Sequence, residues 1–225
     1  MNKFLFSVIL LLVSLFFISF AVAHPKNDAV SPTEPASYLH DWDYTDMYPW
    51  SVMLYVGRTG KEPIGRILKG NFTSVNETLY SGELAYTLEK ANPIRQFFSL
   101  LVSEIQFAGN VTVRDGKYNK GTIYEFDPYL IFRWTHFPWS HYLETTFAAA
   151  EGVSYTTAVP WVEKRYNSDC TRFLNYLMFE ITFALPSYPR TQLVVRMHHR
   201  SGGYGLYGAG NTGSNAVGLG MRYYF

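Results

Sequence analysis

A histidine and a serine lie two residues apart at the end of one alternating segment, and together they could carry out ester chemistry. The segment is Thr191–Ser201, TQLVVRMHHRS, and the pair is His199 and Ser201. In a β-strand, residues i and i+2 share a face, with Cα atoms about 6.5–7 Å apart. At that spacing an imidazole can act as general base for a serine hydroxyl that attacks an acyl carbonyl. The alternative is a polar pair without a catalytic role.

The alternation within this segment predicts which face carries the pair. One row contains Arg196, His198 and Arg200, and its charges favour a polar interior. His199 and Ser201 end the other row, which we therefore expect to face lipid. A polar pair facing hydrocarbon is costly and usually functional. The pair is expected near the outer rim, where a lipid substrate can reach it by lateral movement.

Counting residues across the hairpins predicts the neighbours of the pair. A loop centred near Tyr207 puts Asn215 opposite His199, where its amide could hold the imidazole tautomer. A turn centred near Tyr188 puts an asparagine of the preceding segment close to Ser201. The candidate donors to an oxyanion are the side chain of Asn175 and the backbone amides of Gly202 and Gly203.

The N-terminus predicts export. Residues 1–23 combine one lysine, an apolar run and the triplet Ala21-Val22-Ala23, which is typical of a cleaved signal peptide. The alternative is a membrane anchor helix. Residues 24–48 are polar and without periodicity, and are interpreted as a periplasmic leader or a plug at the barrel mouth. Residues 49–225 are expected to form the folded domain.

The rest of the chain predicts an all-β fold, an eight-stranded antiparallel transmembrane β-barrel. Apolar and polar residues alternate in eight segments, which are 49–57, 78–90, 97–111, 121–136, 142–158, 171–185, 191–201 and 213–225. A secreted soluble sandwich or lipocalin-like barrel also alternates. Short connections at 91–96, 137–141 and 186–190, between longer ones, favour the outer-membrane type with periplasmic turns.

Composition and the C-terminus agree with this class. The formal net charge is +1, which does not predict a nucleic-acid partner. The single cysteine, Cys170, excludes an internal disulfide. The last residues, MRYYF, resemble the signal by which bacterial outer-membrane barrels reach the barrel-assembly machinery, with Phe225 at its end. The bacterial outer membrane is the expected location.

The interior of an eight-stranded barrel is filled by side chains. Charged residues on the polar rows are therefore expected to pair with one another and to be structural. The expected carboxylates are Glu83, Glu104, Glu125, Asp127, Glu144 and Glu180, and the expected arginines are Arg133, Arg172, Arg196 and Arg222.

We predict no cofactor and no metal. His198 and His199 are adjacent and point to opposite faces of a strand, and neither shows metal-site spacing with His24 or His40 of the leader. The glycine-rich stretch GGYGLYGAGNTG lacks the strand-to-helix context of a phosphate-binding loop.

The His-x-Ser motif on the penultimate segment of such a barrel resembles the lipid A 3-O-deacylases of the PagL family. The resemblance implies that His199 is the general base and Ser201 the nucleophile. In that family a glutamate on the last strand orients the histidine, and Asn215 stands where that glutamate is expected. The family's asparagine after the serine is replaced by Gly202. Glu151, on the lipid-facing row of the fifth segment, is only a distant substitute.

The first functional hypothesis is an outer-membrane serine esterase that removes an ester-linked acyl chain from lipid A or a related glycolipid and so modifies lipopolysaccharide. The second is a non-catalytic barrel with a structural, binding or adhesion role and a degenerate site. A third is an acyltransferase that passes the acyl group to another lipid instead of water.

Overall fold

The computed structural model describes residues 44–165, 169–210 and 212–225, and these form one closed antiparallel barrel in which each strand pairs with its neighbour in sequence. The predicted fold class is confirmed. The strands are β1 Trp50–Gly60, β2 Ser74–Thr87, β3 Glu104–Gly116, β4 Ile123–Trp134, β5 Glu144–Thr156, β6 Phe173–Ala184, β7 Thr191–Ser201 and β8 Gly213–Tyr224. The predicted signal peptide and leader residues 24–43 lie outside the described residues.

Short helices interrupt the connections. They are α1 Tyr44–Met47, α2 Ile64–Ile67, α3 Pro93–Phe98, α4 Trp161–Lys164 and a 3₁₀ turn at Gly203–Gly205. No helix among the described residues is long and apolar enough to cross a membrane.

The beginning of the third strand was predicted wrongly. Residues 97–103 do not belong to it, because Asn92 caps α3 by accepting the Ile94 amide at 2.9 Å, with Pro93 at the first turn. The connection from β2 to β3 therefore spans 88–103 and is as long as the β5–β6 connection, 157–172. The predicted contrast between short and long connections also fails in the middle of the chain, where the β3–β4 connection, 117–122, is shorter than the β4–β5 connection, 135–143. It holds for the last three connections, 157–172, 185–190 and 202–212.

The first strand begins and the last strand ends at the same rim of the barrel, which we call the inner rim. The backbones of Trp50 and Phe225 exchange two hydrogen bonds, of 3.3 and 2.8 Å. Thr45 of α1 donates to Glu104 at 3.3 Å, so the end of the leader contacts the barrel interior at this rim. The opposite, outer rim carries the β1–β2, β3–β4, β5–β6 and β7–β8 connections.

The barrel is apolar outside and charged inside. Along β4, Tyr124 and Phe126 are 47% and 43% exposed, whereas Glu125 and Asp127, which alternate with them, are 0% and 1% exposed. Other exposed apolar side chains on the strands are Val52, Leu54, Val56, Leu84, Phe107, Val111, Tyr155, Phe173, Ile181, Leu193, Leu219 and Met221. A soluble barrel has the reverse arrangement, with its apolar row inside. The chain is thus an outer-membrane type barrel, located in the bacterial outer membrane.

The half of the interior nearer the inner rim contains a balanced charge layer. This inner charge layer consists of Glu83, Glu104, Glu180, Arg133, Arg196 and Arg222, all of them buried. Arg133, Arg196 and Arg222 approach the Glu180 carboxylate at 2.8, 2.5 and 2.5 Å. The predicted pairing with arginines is confirmed for Glu83 and Glu180. Glu104 forms no ion pair among the described residues and instead accepts hydrogen bonds from Thr45 and Gln106.

The other predicted ion pairs need correction. Arg172 lies just before β6 and its side chain is exposed, so it does not enter the interior. Neither Glu144 nor Asp127 pairs with an arginine among the described residues. The arginines that complete the interior are Arg114 and Arg200, both fully buried near the outer rim.

Candidate active site

The pairing of β6, β7 and β8 brings the predicted site residues together. His199 pairs with Asn215 on β8, and Ser201 pairs with Asn175 on β6. Both neighbours were predicted from hairpin counting, and both pairings are confirmed. The register places these four residues on the outer face, because the alternating residues His198 and Arg200 are buried inside the barrel.

The pair lies at the end of β7, at the outer rim. The side chains of His199 and Ser201 are half-buried, whereas Leu193, on the same row near the other end of the strand, is 49% exposed. The partial burial comes from the connections of the outer rim, which rise beside the strand. The site is therefore open to the membrane side of the barrel and covered from above.

A chain of two hydrogen bonds fixes the orientation of the imidazole. The side-chain Nδ2 of Asn215 donates to the backbone carbonyl of Glu62 at 2.9 Å, which leaves its Oδ1 facing His199. The distance from Oδ1 to His199 Nδ1 is 2.5 Å. Because an amide oxygen only accepts, Nδ1 must carry the proton. The neutral imidazole then has its lone pair on Nε2, which is the nitrogen a general base needs.

Glu62 is a functional residue that the sequence did not indicate. Its contribution is a backbone carbonyl, and any residue type supplies one. The loop that holds it is fastened by Thr73, whose carbonyl accepts from the Lys61 amide at 3.1 Å and whose amide donates to the Glu62 carboxylate at 2.8 Å. Hydrogen bonds from Thr73, from its side chain first and its backbone amide second, lower the pKa of the Glu62 carboxyl.

This chain of hydrogen bonds explains why an asparagine can stand at position 215. The residue must accept from the imidazole and donate to the Glu62 carbonyl at the same time, and an amide does both. A carboxylate would place a second acceptor against that carbonyl. The asparagine provides orientation, but it provides no charge to stabilise an imidazolium ion.

We expect Asn215→Ala to lower kcat for ester hydrolysis about 10- to 100-fold, with KM little changed, because the imidazole loses the group that sets its tautomer. Kinetics with purified enzyme measure the rate. The ¹⁵N chemical shifts of the His199 ring report the tautomer, which should change from a single Nδ1–H form to a mixture. An unaltered kcat in the variant would contradict the assigned role.

A groove of about 750 Å³ surrounds the pair. Its walls come from the four strands β5 to β8 and from the connections that join β1 to β2 and β7 to β8. Its lining includes Glu62, Ile64, Leu177, Leu206 and Asn215. That volume lies within the range of small-ligand sites, about 300–1,000 Å³. Leu177 pairs with His199 and lines the groove beside it, so an acyl chain could lie against an apolar wall.

The predicted oxyanion donors are not equally available. The Gly202 amide already donates to the Thr212 carbonyl at 3.0 Å, so its expected role is corrected. The Gly203 amide has no acceptor among the described residues, and its φ of 55° is a conformation that favours glycine. Asn175 lines the groove directly beside Ser201. Gly203 and Asn175 remain the candidates.

Position 202 has no room for a side chain. A Cβ at this position would lie 2.2 Å from the Gly210 carbonyl oxygen and 2.7 Å from that of Ala209. Both contacts are with backbone, which cannot turn aside. The β7–β8 connection therefore occupies the space that the side chain of an asparagine would need.

We expect Gly202→Asn, which introduces the family's residue, to lower activity at least about 10-fold instead of raising it, because the loop must move to admit the side chain. The matched control is Gly65→Asn, since a Cβ at Gly65 meets nothing within 4 Å. Lipid deacylation by equal amounts of folded protein gives the comparison. Higher activity in the Gly202 variant would show that the loop is not arranged as described.

The positions of Ser201 and Glu151 relative to His199 complete the geometry of the site. Among the described residues, the only hydrogen bond of the His199 side chain is the one to Asn215, so the Ser201 hydroxyl must turn toward the imidazole when substrate enters. Glu151 lies on the same outer row, but Leu177 separates it from His199. Two strand spacings separate the backbones of Glu151 and His199 by about 10 Å, and the group that orients the imidazole is Asn215, which already bonds Nδ1.

No protein-family model and no curated protein matches the chain. Among solved structures, the outer membrane enzyme PagL aligns over 78% of this chain and 99% of its own, with 12% identity and a TM-score of 0.49. Neisserial surface protein A aligns over 79% and 97%, with 11% identity and a TM-score of 0.44. The Yersinia pestis protein Ail aligns over 78% and 99%, with 11% identity and a TM-score of 0.37.

Proposed function

We propose that the chain is a serine esterase of the outer membrane, which removes an ester-linked acyl chain from lipid A or a related glycolipid. The observation that carries the proposal is the hydrogen-bonded series from the Glu62 carbonyl through Asn215 to His199 Nδ1, next to Ser201 on the lipid-facing surface. A polar pair that merely met the membrane interface would not need its imidazole held in one tautomer by two further groups.

The residues have distinct roles in the proposed reaction. Ser201 Oγ attacks the ester carbonyl while His199 Nε2 takes its proton. Asn175 and the Gly203 amide donate to the oxyanion of the tetrahedral intermediate. The intermediate collapses, the bond to the sugar oxygen breaks, and the imidazolium returns the proton to that oxygen. Water, activated by the same imidazole, then releases the fatty acid from Ser201.

The position of the site favours a membrane lipid over a soluble ester. His199 and Ser201 end the outward row of β7, in which Leu193 is exposed, Val195 is half-buried and Met197 is buried. A lipid whose acyl chains lie along this row has its ester groups at the height of the outer rim. Acyl chains attached directly to a sugar, as in lipid A, place their ester groups at that height.

Expression in a host that makes a known lipid A tests the proposal. We expect the lipid A mass spectrum to show loss of one hydroxyacyl chain with the wild-type protein and no change with Ser201→Ala. The matched control is Ser74→Ala, a serine exposed near the outer rim whose hydroxyl bonds only the Val75 carbonyl among the described residues.

Each other outcome has a definite meaning. Equal loss of the chain with wild type and Ser201→Ala would assign the activity to the host. An unchanged spectrum with a folded wild-type barrel would favour a binding or structural role. Transfer of the chain to a second lipid, detected in the phospholipid fraction, would identify an acyltransferase with the same nucleophile.

A further inference from the structure

The outer half of the barrel interior contains a second charge layer, and it is not balanced. This outer charge layer contains two arginines, Arg114 and Arg200, and four carboxylates. The carboxylates are Glu77, Glu125, Asp127 and Glu163. With all of them ionised and the one histidine neutral, the layer carries two uncompensated negative charges. Buried charge without a counterion is costly, so something must compensate it.

The arginines of this layer are committed to three of the carboxylates. Arg114 lies 2.7 Å from both Glu77 and Glu125, and Arg200 lies 2.8 Å from Glu163. Asp127 is left out. It is 1% exposed, and neither of its carboxylate oxygens has a hydrogen-bond partner among the described residues.

The unpartnered carboxylate points into a cluster of metal-ligand type. One ligand atom each from Glu125, Asp127 and His198 lies within 4.8 Å of the other two. His198 Nε2 is 2.7 Å from Glu125 Oε1, and its ring rests edge-on against Tyr176, with centroids 4.9 Å apart. Imidazole nitrogens and carboxylate oxygens bind zinc at about 2.0–2.2 Å, so these three side chains have the ligand types that the ion requires.

We propose that Glu125, Asp127 and His198 bind one divalent transition-metal ion of the zinc class inside the barrel. An ion with two positive charges compensates the two excess negative charges of the outer charge layer. The inner charge layer is balanced and needs no such ion. An imidazole beside two carboxylates favours such ions over Ca²⁺ and Mg²⁺, which prefer oxygen ligands. The sequence did not reveal this site, because its ligands come from strands β4 and β7, which approach each other only in the closed barrel.

The site is separate from the proposed esterase. His198 lies on the inner face of β7 and His199 on the outer face, and both Glu125 and Asp127 are interior residues of β4. The metal site is therefore independent of whether the chain hydrolyses lipids. The role of the ion would be structural, because it would join β4 to β7 at the outer end of the barrel, beneath the groove.

Metal analysis of the full-length chain tests the proposal. Protein purified in detergent is unfolded with chelator, refolded with Zn²⁺, freed of excess metal and measured by elemental mass spectrometry. We expect wild type to retain one equivalent of zinc more than Asp127→Asn, and the affinity of this variant to be at least about 10-fold weaker. Other histidines that bind zinc adventitiously contribute equally to both proteins.

Glu144→Gln is the matched control, because Glu144 also has a buried oxygen without a partner among the described residues but lies at the inner rim. It should retain as much zinc as wild type. Should Asp127→Asn fail to fold, Co²⁺ is added to wild type, where an absorption spectrum of mixed nitrogen and oxygen coordination is expected. Equal zinc in wild type and Asp127→Asn, or no cobalt spectrum, would overturn the proposal and leave protons or water as the partners of Asp127.

Discussion

His199→Ala is expected to lower the rate of ester hydrolysis about 10²- to 10⁴-fold, the usual contribution of a general base. Because Asn215 accepts a hydrogen bond from Nδ1, the proton of the neutral imidazole is on Nδ1 and Nε2 is the ring nitrogen that can accept the proton of Ser201. For the same reason, wild-type activity should fall on acidification, as the imidazole becomes an imidazolium ion that cannot accept a proton. Hydrolysis of purified lipid A, followed by release of fatty acid, measures both effects.

The double variant His199→Ala/Ser201→Ala should be no slower than either single variant, because residues that act as a unit lose their effect together. His136→Ala is the matched control, since His136 is exposed at the inner rim and bonds Ser103 at 3.2 Å, far from the groove. Additive losses in the double variant, or a loss in the control, would contradict a shared catalytic role.

Glu180→Gln is expected to lower the free energy of unfolding by about 3–5 kcal/mol, the cost of breaking a buried ion pair from one side. Glu180 lies fully buried between three arginines at 2.5–2.8 Å, so a neutral amide leaves positive charges uncompensated in the barrel interior. Unfolding by urea in detergent micelles, followed by tryptophan fluorescence, measures the change.

The comparison for this prediction is Glu151→Gln, the same chemical change on the outside of the barrel. Glu151 faces the membrane side, where removing a charge should leave the stability equal or raise it. Equal destabilisation by both substitutions would mean that the inner charge layer does not hold the barrel together in the way its geometry indicates.

The sequence was most informative where one rule fixed both face and register. Residues 191–201 form a strand with the predicted bounds, because alternation sets its faces and a short turn sets its pairing. The neighbours of His199 and Ser201 then followed from counting alone. The sequence also showed Asn215 and Gly202 in place of the residues that the resemblance implies, but it showed neither the Glu62 carbonyl that Asn215 bonds nor the backbone that fills the space at Gly202.

The features that were not predicted leave no periodic pattern of apolar and polar residues in the sequence. The apolar run at residues 97–101 was assigned to a strand, whereas the capped helix α3 and the turn after it occupy this stretch. The Glu62 carbonyl is a backbone group, and Glu163 enters the interior from the loop helix α4. The cluster of Glu125, Asp127 and His198 joins residues far apart in sequence, which only the closed barrel brings together.

Isotope labelling of the released acid tests the proposed esterase activity. Purified wild-type protein and Ser201→Ala, both shown to be folded, are incubated with lipid A in water enriched in ¹⁸O. We expect that only wild type releases fatty acid, and that the released acid carries ¹⁸O in its carboxyl group. Release of acid by Ser201→Ala at the wild-type rate, or no release by either protein, would contradict the role assigned to Ser201.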